Sequence, residues 1–138
     1  MKIYLAAPWP DRELARAFAA RLTDRGFAIT RDWWNHECVG DDPIKYRQYA
    51  MDDWAAVLSA DALVLLNTQK RGEETSGKAV ETGIAISRHI PVIVVGGWTN
   101  IFHFLPGVSI VPTTEEVFDE LIQRSWSNQS QHATQGSK

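Results

Sequence analysis

The chain carries a single cysteine, Cys38, among its 138 residues. One thiol excludes a disulfide framework and a thiolate metal cluster, so the cytoplasm is the expected compartment. Basic runs are missing as well, and the formal net charge is −3, which argues against a surface for a nucleic acid polymer. No apolar stretch approaches the roughly 20 residues needed to span a bilayer. The amino terminus, Met1-Lys2-Ile3-Tyr4-Leu5, passes straight into a strand pattern with no signal-peptide core or cleavage site, so no membrane partner is expected. Phosphate-binding signatures are also absent. There is no G-x-x-x-x-G-K-[ST] loop and no G-x-G-x-x-G after the first strand, which makes ATP and NAD poor ligands. His36, His89, His103 and His132 show no metal-ligand spacing, and no Ser-His-Asp arrangement stands out. No metal and no cofactor is expected.

What is present reads as one soluble α/β domain. Hydrophobic residues make up 44% and charged residues 22%, an ordinary balance for a chain long enough to bury a core. Residues 2–7 form a short buried-strand pattern, broken by Pro8-Trp9-Pro10, and Asp11 is placed to cap a helix over 11–25. Gly26 ends that helix. A second strand follows over 27–33, then a polar loop, then a helix over 44–58 whose apolar side includes Tyr46, Tyr49 and Trp54. Residues 61–67 form the third strand, 78–88 a helix, 91–96 the fourth strand and 108–111 the fifth. Thr113 or Thr114 caps a last helix to about Trp126. Residues 127–138 are polar and expected to be disordered, which leaves 1–126 as the domain. Strands alternating with helices predict a five-stranded parallel sheet, order 2-1-3-4-5, with helices on both faces, a flavodoxin-like or Rossmann-like arrangement. Ligands of such sheets bind beyond the carboxyl ends of the strands, where loops begin here at Ala7, Trp33, Asn67 and Gly96.

The chemistry concentrates in Thr75-Ser76-Gly77-Lys78-Ala79-Val80-Glu81-Thr82-Gly83. Small residues open a helix whose backbone N–H groups suit a phosphate or hydroxyl. Gly83 costs helix stability, which suggests a close approach by a strand or ligand. Glu81 between the glycines reads in two ways. It is a solvated carboxylate paired with Lys78, or a nucleophile or base kept ionised by the helix N-terminus. Asp52 and Asp53 are adjacent, so at most one of them faces a given site; the alternative is that both are solvated, or that one pairs with Arg47. Asp61 opens a strand at the end away from the ligand edge and reads as a turn residue.

Taken together, Asp53 with Asp61 eight residues on, then Ser76-Gly77-Lys78-Ala79-Val80-Glu81-Thr82-Gly83, then Pro91-Val92-Ile93-Val94-Val95-Gly96, resemble the nucleoside 2-deoxyribosyltransferase family, which includes a branch of 2′-deoxynucleoside 5′-monophosphate N-glycosidases. Lys2–Pro8 and Asn100–Gly107 fit the same family, so the resemblance covers about residues 2–122. It implies an enzyme without a cofactor whose partner is a small-molecule deoxynucleoside or deoxynucleotide. Glu81 would attack C1′ of the sugar to form a glycosyl ester, and a second base or water would then take the sugar. Asp53 would serve the leaving base as general acid and base. The resemblance further implies a homodimer or higher homo-oligomer, with Asn100 reaching a neighbouring subunit's site. Thr75 stands where transferases carry an aspartate and the monophosphate hydrolases a hydroxyl. That points Thr75, Ser76 and Gly77 at a 5′-phosphate or 5′-hydroxyl. The hydrolases' Gly- and Arg-rich loop after the first strand is missing, and so is the family's early tyrosine, for which Trp9 offers a stacking surface. Ala7 and Trp33 complete the expected substrate contacts. Two other readings of the same pattern are a nucleotide-binding sensor without turnover and a Glu-dependent NAD glycohydrolase.

Overall fold

The computed structural model describes residues 1–37, 40–68 and 76–135, with side chains through residue 125 except that of Ser76. Five parallel strands, β1 (Lys2–Ala6), β2 (Ala28–Ile29), β3 (Ala62–Leu66), β4 (Val92–Val95) and β5 (Val108–Val111), form one sheet in the order β2-β1-β3-β4-β5. The four helices are α1 (Arg12–Asp24), α2 (Pro43–Leu58), α3 (Ser76–Ser87) and α4 (Thr114–Gln135). Short 3₁₀ turns at Trp9–Asp11, Trp33–Asn35 and Ile101–Phe104 fill the connections. Strands covered on both faces read as continuous apolar runs, and β3 and β4 are buried along their whole length. Helices α1 and α4 meet on one face through an edge-to-face pair, Phe18 and Phe118, with centroids 5.7 Å apart. Helix α2 packs against α3, which in turn covers β1, β3 and β4. None of the helices is long and apolar enough to cross a membrane among the described residues.

Local chemistry explains most of the boundaries. Asp42 caps α2 by accepting from the Ile44 and Lys45 amides at 3.1 and 3.4 Å, with Pro43 at the first helical position. Gly26 closes α1 at φ +90°, a conformation that costs glycine little. Thr113 and Glu116 form the capping pair of α4. Glycine is obligatory at position 96, where φ is +105° and a Cβ would lie 2.7 Å from the Asn67 carbonyl oxygen.

Several sequence expectations are corrected. Asp11 makes no side-chain cap and instead accepts from the Thr68 hydroxyl. The second strand is only two residues long rather than spanning 27–33, and indole chemistry replaces the rest of its pairing. The carbonyls of Met1 and Ile3 accept from Ala28 and Thr30, and the next one along that edge, Leu5, accepts from Trp33 Nε1 at 2.7 Å. On α2, Val57 of the expected apolar side is buried together with Ala56, while Tyr46 and Trp54 of the same side are half exposed. Helix α4 continues past its expected end near Trp126, to Gln135. A Cβ at Gly83 would meet no atom within 4 Å, and the residue lies exposed on α3, so no strand approaches it. With helical backbone and open space, Gly83→Ala should raise unfolding stability by about 0.5–1 kcal/mol in urea titrations. A loss of stability would show that the glycine serves a contact beyond this chain.

Candidate active site

The carboxyl ends of β1 and β2 and the facing sides of α2 and α3 enclose a cavity of about 610 Å³. Its position follows from strand order. The sheet is built outward in both directions from β1, so the loops on either side diverge and leave a crevice. Ala7, Pro8, Trp9 and Pro10 border it after β1, and Trp33, His36 and Glu37 after β2. Helix α2 contributes Tyr46, Tyr49 and Asp53, spaced three and seven residues apart on one face. Helix α3 contributes Gly77, Lys78 and Glu81, also one face. Tyr4 reaches in from β1.

Glu81 and Asp53 thus share one cavity while sitting in different surroundings. Glu81 lies against β1 and accepts from the Tyr4 hydroxyl through Oε2; Oε1 has no hydrogen bond among the described residues. Burial pushes its carboxyl up to about 8. The expectation of a carboxylate kept ionised by the helix terminus is therefore corrected. Glu81 is the sixth residue of α3, past the first turn where the dipole acts, and desolvation outweighs it. Its bland alternative, a pair with Lys78, is not formed either: Lys78 is buried and donates to Asn67 Oδ1 at 2.7 Å. Asn67 in turn donates to the Gly97 carbonyl at 2.7 Å and to Thr99 Oγ1 at 3.2 Å, tying the start of α3 to the loop after β4. Asp53 is paired not with Arg47 but with Arg31, whose Nε lies 2.6 Å from Oδ1. Asp61 accepts from the Lys2 amide at 2.7 Å, the structural role its position suggested.

Aromatic rings line the approach. Trp9 is 38% exposed and meets Trp33 at 6.2 Å between centroids, tilted by 45°. Trp33 itself is largely buried, its indole N–H spent on Leu5. His36 stacks on Tyr49 at 4.6 Å and 12°. Of the residues singled out from the sequence, Glu81, Asp53, Gly77, Ala7, Trp9 and Trp33 all border the cavity. Asn100 does not. It caps the turn at Ile101–Phe104, accepting from the Phe102 amide at 2.9 Å, and sits by His103 behind Lys78. Thr75 lies outside the described residues, as do Lys70, Arg71, Glu73 and Glu74; Ser76 opens α3 with its side chain undescribed.

Sequence reasoning missed Tyr4, Arg31, His36, Tyr46 and Tyr49. Tyr4 stood in the sequence only as part of the first strand. A hydroxyl inside an otherwise apolar buried strand was its available signal, because such a group needs a partner. Nothing in the local pattern marked Arg31.

A parallel sheet with helices on both faces, and Glu81 and the ion-paired Asp53 in one aromatic-lined crevice at the carboxyl ends of its strands, define a Rossmann-like fold. The sequence profile of the nucleoside 2-deoxyribosyltransferases matches residues 3–131, and the chain belongs to that family. No curated protein matches it by sequence. Among solved structures it is similar to a conserved protein from Enterococcus faecalis V583 (19% identity, TM-score 0.67, covering 90% of this chain and 98% of that one). It also resembles the 2-deoxyribosyltransferase of Bacillus psychrosaccharolyticus (19%, 0.65, 85% and 90%) and the CMP N-glycosidase BcmB of Clostridium botulinum (16%, 0.59, 88% and 98%). At these identities the likeness is one of fold.

The raised carboxyl of Glu81 has a consequence for stability. Its ordinary value is 4.5 and its folded value about 8, so the folded state holds a proton that the unfolded state releases. Stability should be flat below about pH 4.5, fall by up to about 1.4 kcal/mol per unit toward pH 8, and level off above. Glu81→Gln should remove that component, making the variant more stable than the parent at pH 8 but not at pH 4. Parallel pH profiles for the two proteins would contradict the burial.

Proposed function

We propose that the protein cleaves the N-glycosidic bond of a 2′-deoxynucleoside or its 5′-monophosphate and passes the sugar to water or to another base. The observation that carries this reading is the shared cavity of Glu81 and Asp53, with Trp9 and Trp33 at its edge. In the first step Glu81, ionised, attacks C1′ through Oε1 while Tyr4 holds Oε2. The C1′–N bond breaks, its electron pair leaves with the base, and a deoxyribosyl ester forms on Glu81. Asp53 meets the departing base with a proton or a hydrogen bond. Water or a second base then attacks C1′ and frees the carboxylate, with net retention. The family's members and the solved transferase and glycosidase of the same fold support this class of reaction. The CMP N-glycosidase supports a nucleotide substrate, as does the hydroxyl residue Thr75 in place of an aspartate. The half-exposed or more exposed Ile44, Met51 and Trp54 of α2 and Val80 of α3 support a homo-oligomer, and the single cysteine supports a cytoplasmic setting.

Because the attacking carboxylate must be ionised, kcat/KM should rise about tenfold per pH unit up to about 8 and then level off. Free-base release from deoxynucleosides, their 5′-monophosphates and NAD is the deciding assay. Release from the first two but not from NAD, abolished in Glu81→Ala, is expected; binding without release would make the chain a sensor. A kcat/KM that falls between pH 6 and 8 would contradict Glu81 as nucleophile.

Asp53→Asn should slow release of poor leaving bases by about 10²–10⁴-fold, the usual size of acid–base assistance. Bases that leave unaided should be affected less. An equal loss for both kinds would point to a structural role.

A further inference from the structure

We infer that Arg12 is a positioning residue that holds the Trp9 indole as a fixed platform for the base of the substrate. The inference rests on the glycosidase reading above and concerns the same cavity. Trp9 opens the 3₁₀ turn after β1 and stands between Pro8 and Pro10. Pro8 sits at φ −65°, the value its ring imposes, so the chain enters the turn with little freedom. The Asp11 amide closes the turn on the Pro8 carbonyl at 2.9 Å, and the Arg12 amide donates to the Trp9 carbonyl. The Thr68 hydroxyl donates to Asp11 and ties the turn to the segment after β3. The backbone beneath Trp9 is therefore set, and what remains to be fixed is its ring.

The ring borders the cavity and is 38% exposed, against 9% for Trp33. Left to itself it could turn about its side-chain torsions, and a ligand would have to order it on arrival, which weakens binding. Two contacts restrain it. Trp33 meets it at 6.2 Å and 45°. Arg12 folds back so that Cζ lies 5.0 Å from the indole centroid, while Nη1 donates to the Trp9 carbonyl at 3.3 Å. The guanidinium is thus anchored to the same residue whose ring it covers. Trp9 borders the cavity and Arg12 does not, so the cation sits behind the platform and leaves the cavity side to a base. Stacking uses the flat face of the base rather than its edge, so the platform serves every base. It also acts before and during bond breaking alike, and such uniform binding belongs in KM rather than kcat.

The test measures dissociation constants by calorimetry in the Glu81→Ala background, which should bind without cleaving. The ligands are deoxyadenosine, deoxycytidine, their 5′-monophosphates, and 2-deoxyribose 5-phosphate, which has no base. Trp9→Ala should weaken the base-bearing ligands by roughly ten- to a hundredfold, and Arg12→Met by about two- to fivefold. The double variant should be no weaker than Trp9→Ala alone, because Arg12 acts only through the ring. Arg12→Lys keeps a cation without the flat guanidinium and should fall between the parent and Arg12→Met; it decides should Arg12→Met fail to fold by circular dichroism. Affinity for 2-deoxyribose 5-phosphate should be the same throughout. With Glu81 intact, Arg12→Met should raise KM by about two- to fivefold and leave kcat unchanged. A loss from Arg12→Met that persists without the Trp9 ring, or that extends to 2-deoxyribose 5-phosphate, would mean that Arg12 meets the ligand itself and would overturn the inference. Unchanged affinity in the folded Arg12 variants, or a fall in kcat at constant KM, would overturn it as well. No base release by the protein with Glu81 intact would overturn the glycosidase reading, while the binding cycle would still decide the platform. No binding of any of the ligands would overturn both.

Discussion

Burial of the Glu81 carboxyl is the constraint on which the rest of the site depends. A carboxyl group drawn partly out of water against β1 loses hydration that one hydrogen bond from Tyr4 only partly replaces. The surrounding groups are arranged around that carboxyl. Tyr4 comes from a buried stretch of β1 and fixes one oxygen. Helix α3 is anchored at its start by the buried Lys78–Asn67 contact and on to Gly97 and Thr99, so the turn that carries Glu81 is tied to both β3 and the loop after β4. Poor solvation weakens a carboxylate's preference for its ionised form, but it also makes an ionised one more reactive toward an electron-poor carbon.

The two carboxylates of the cavity differ because their supports differ. Glu81 is held by a neutral hydroxyl in a partly buried setting, and Asp53 by a guanidinium on the facing helix. Environment rather than residue type sets the two groups apart. Strand β2 matters here out of proportion to its two residues. Its brevity lets the chain turn early, so Arg31 reaches Asp53 and Trp33 swings back to satisfy Leu5.

Much of this was legible in the sequence. Continuous apolar runs marked β3 and β4, β5 was placed to the residue, and the strand order followed from the alternation with helices. Glu81 and Asp53 were singled out through their spacing and flanking glycines, and the structure brings both to one cavity. What escaped was whatever depended on a long-range partner. Local pattern could suggest a helix dipole at Glu81 but could not weigh it against burial by β1. Tyr46 and Tyr49 have helical spacing, which reads equally as core or as cavity wall until the neighbouring element is known. Arg31 lies in a stretch with no periodicity and acquires meaning only from α2, folded 22 residues away. Gly83 misled for the converse reason, since an unfavourable residue need not mark a contact.

The central claim is that Glu81 becomes covalently joined to the sugar during turnover. A 2-fluoro-2-deoxy nucleoside or its 5′-monophosphate should form that ester and stall, because the fluorine slows both steps and the second the more visibly. Intact-mass spectrometry followed by peptide mapping reads the result directly. One sugar equivalent on the peptide containing Glu81, absent from Glu81→Gln, is predicted. Turnover of the natural substrate with no adduct at any time, or an adduct mapped to another residue, would contradict the account.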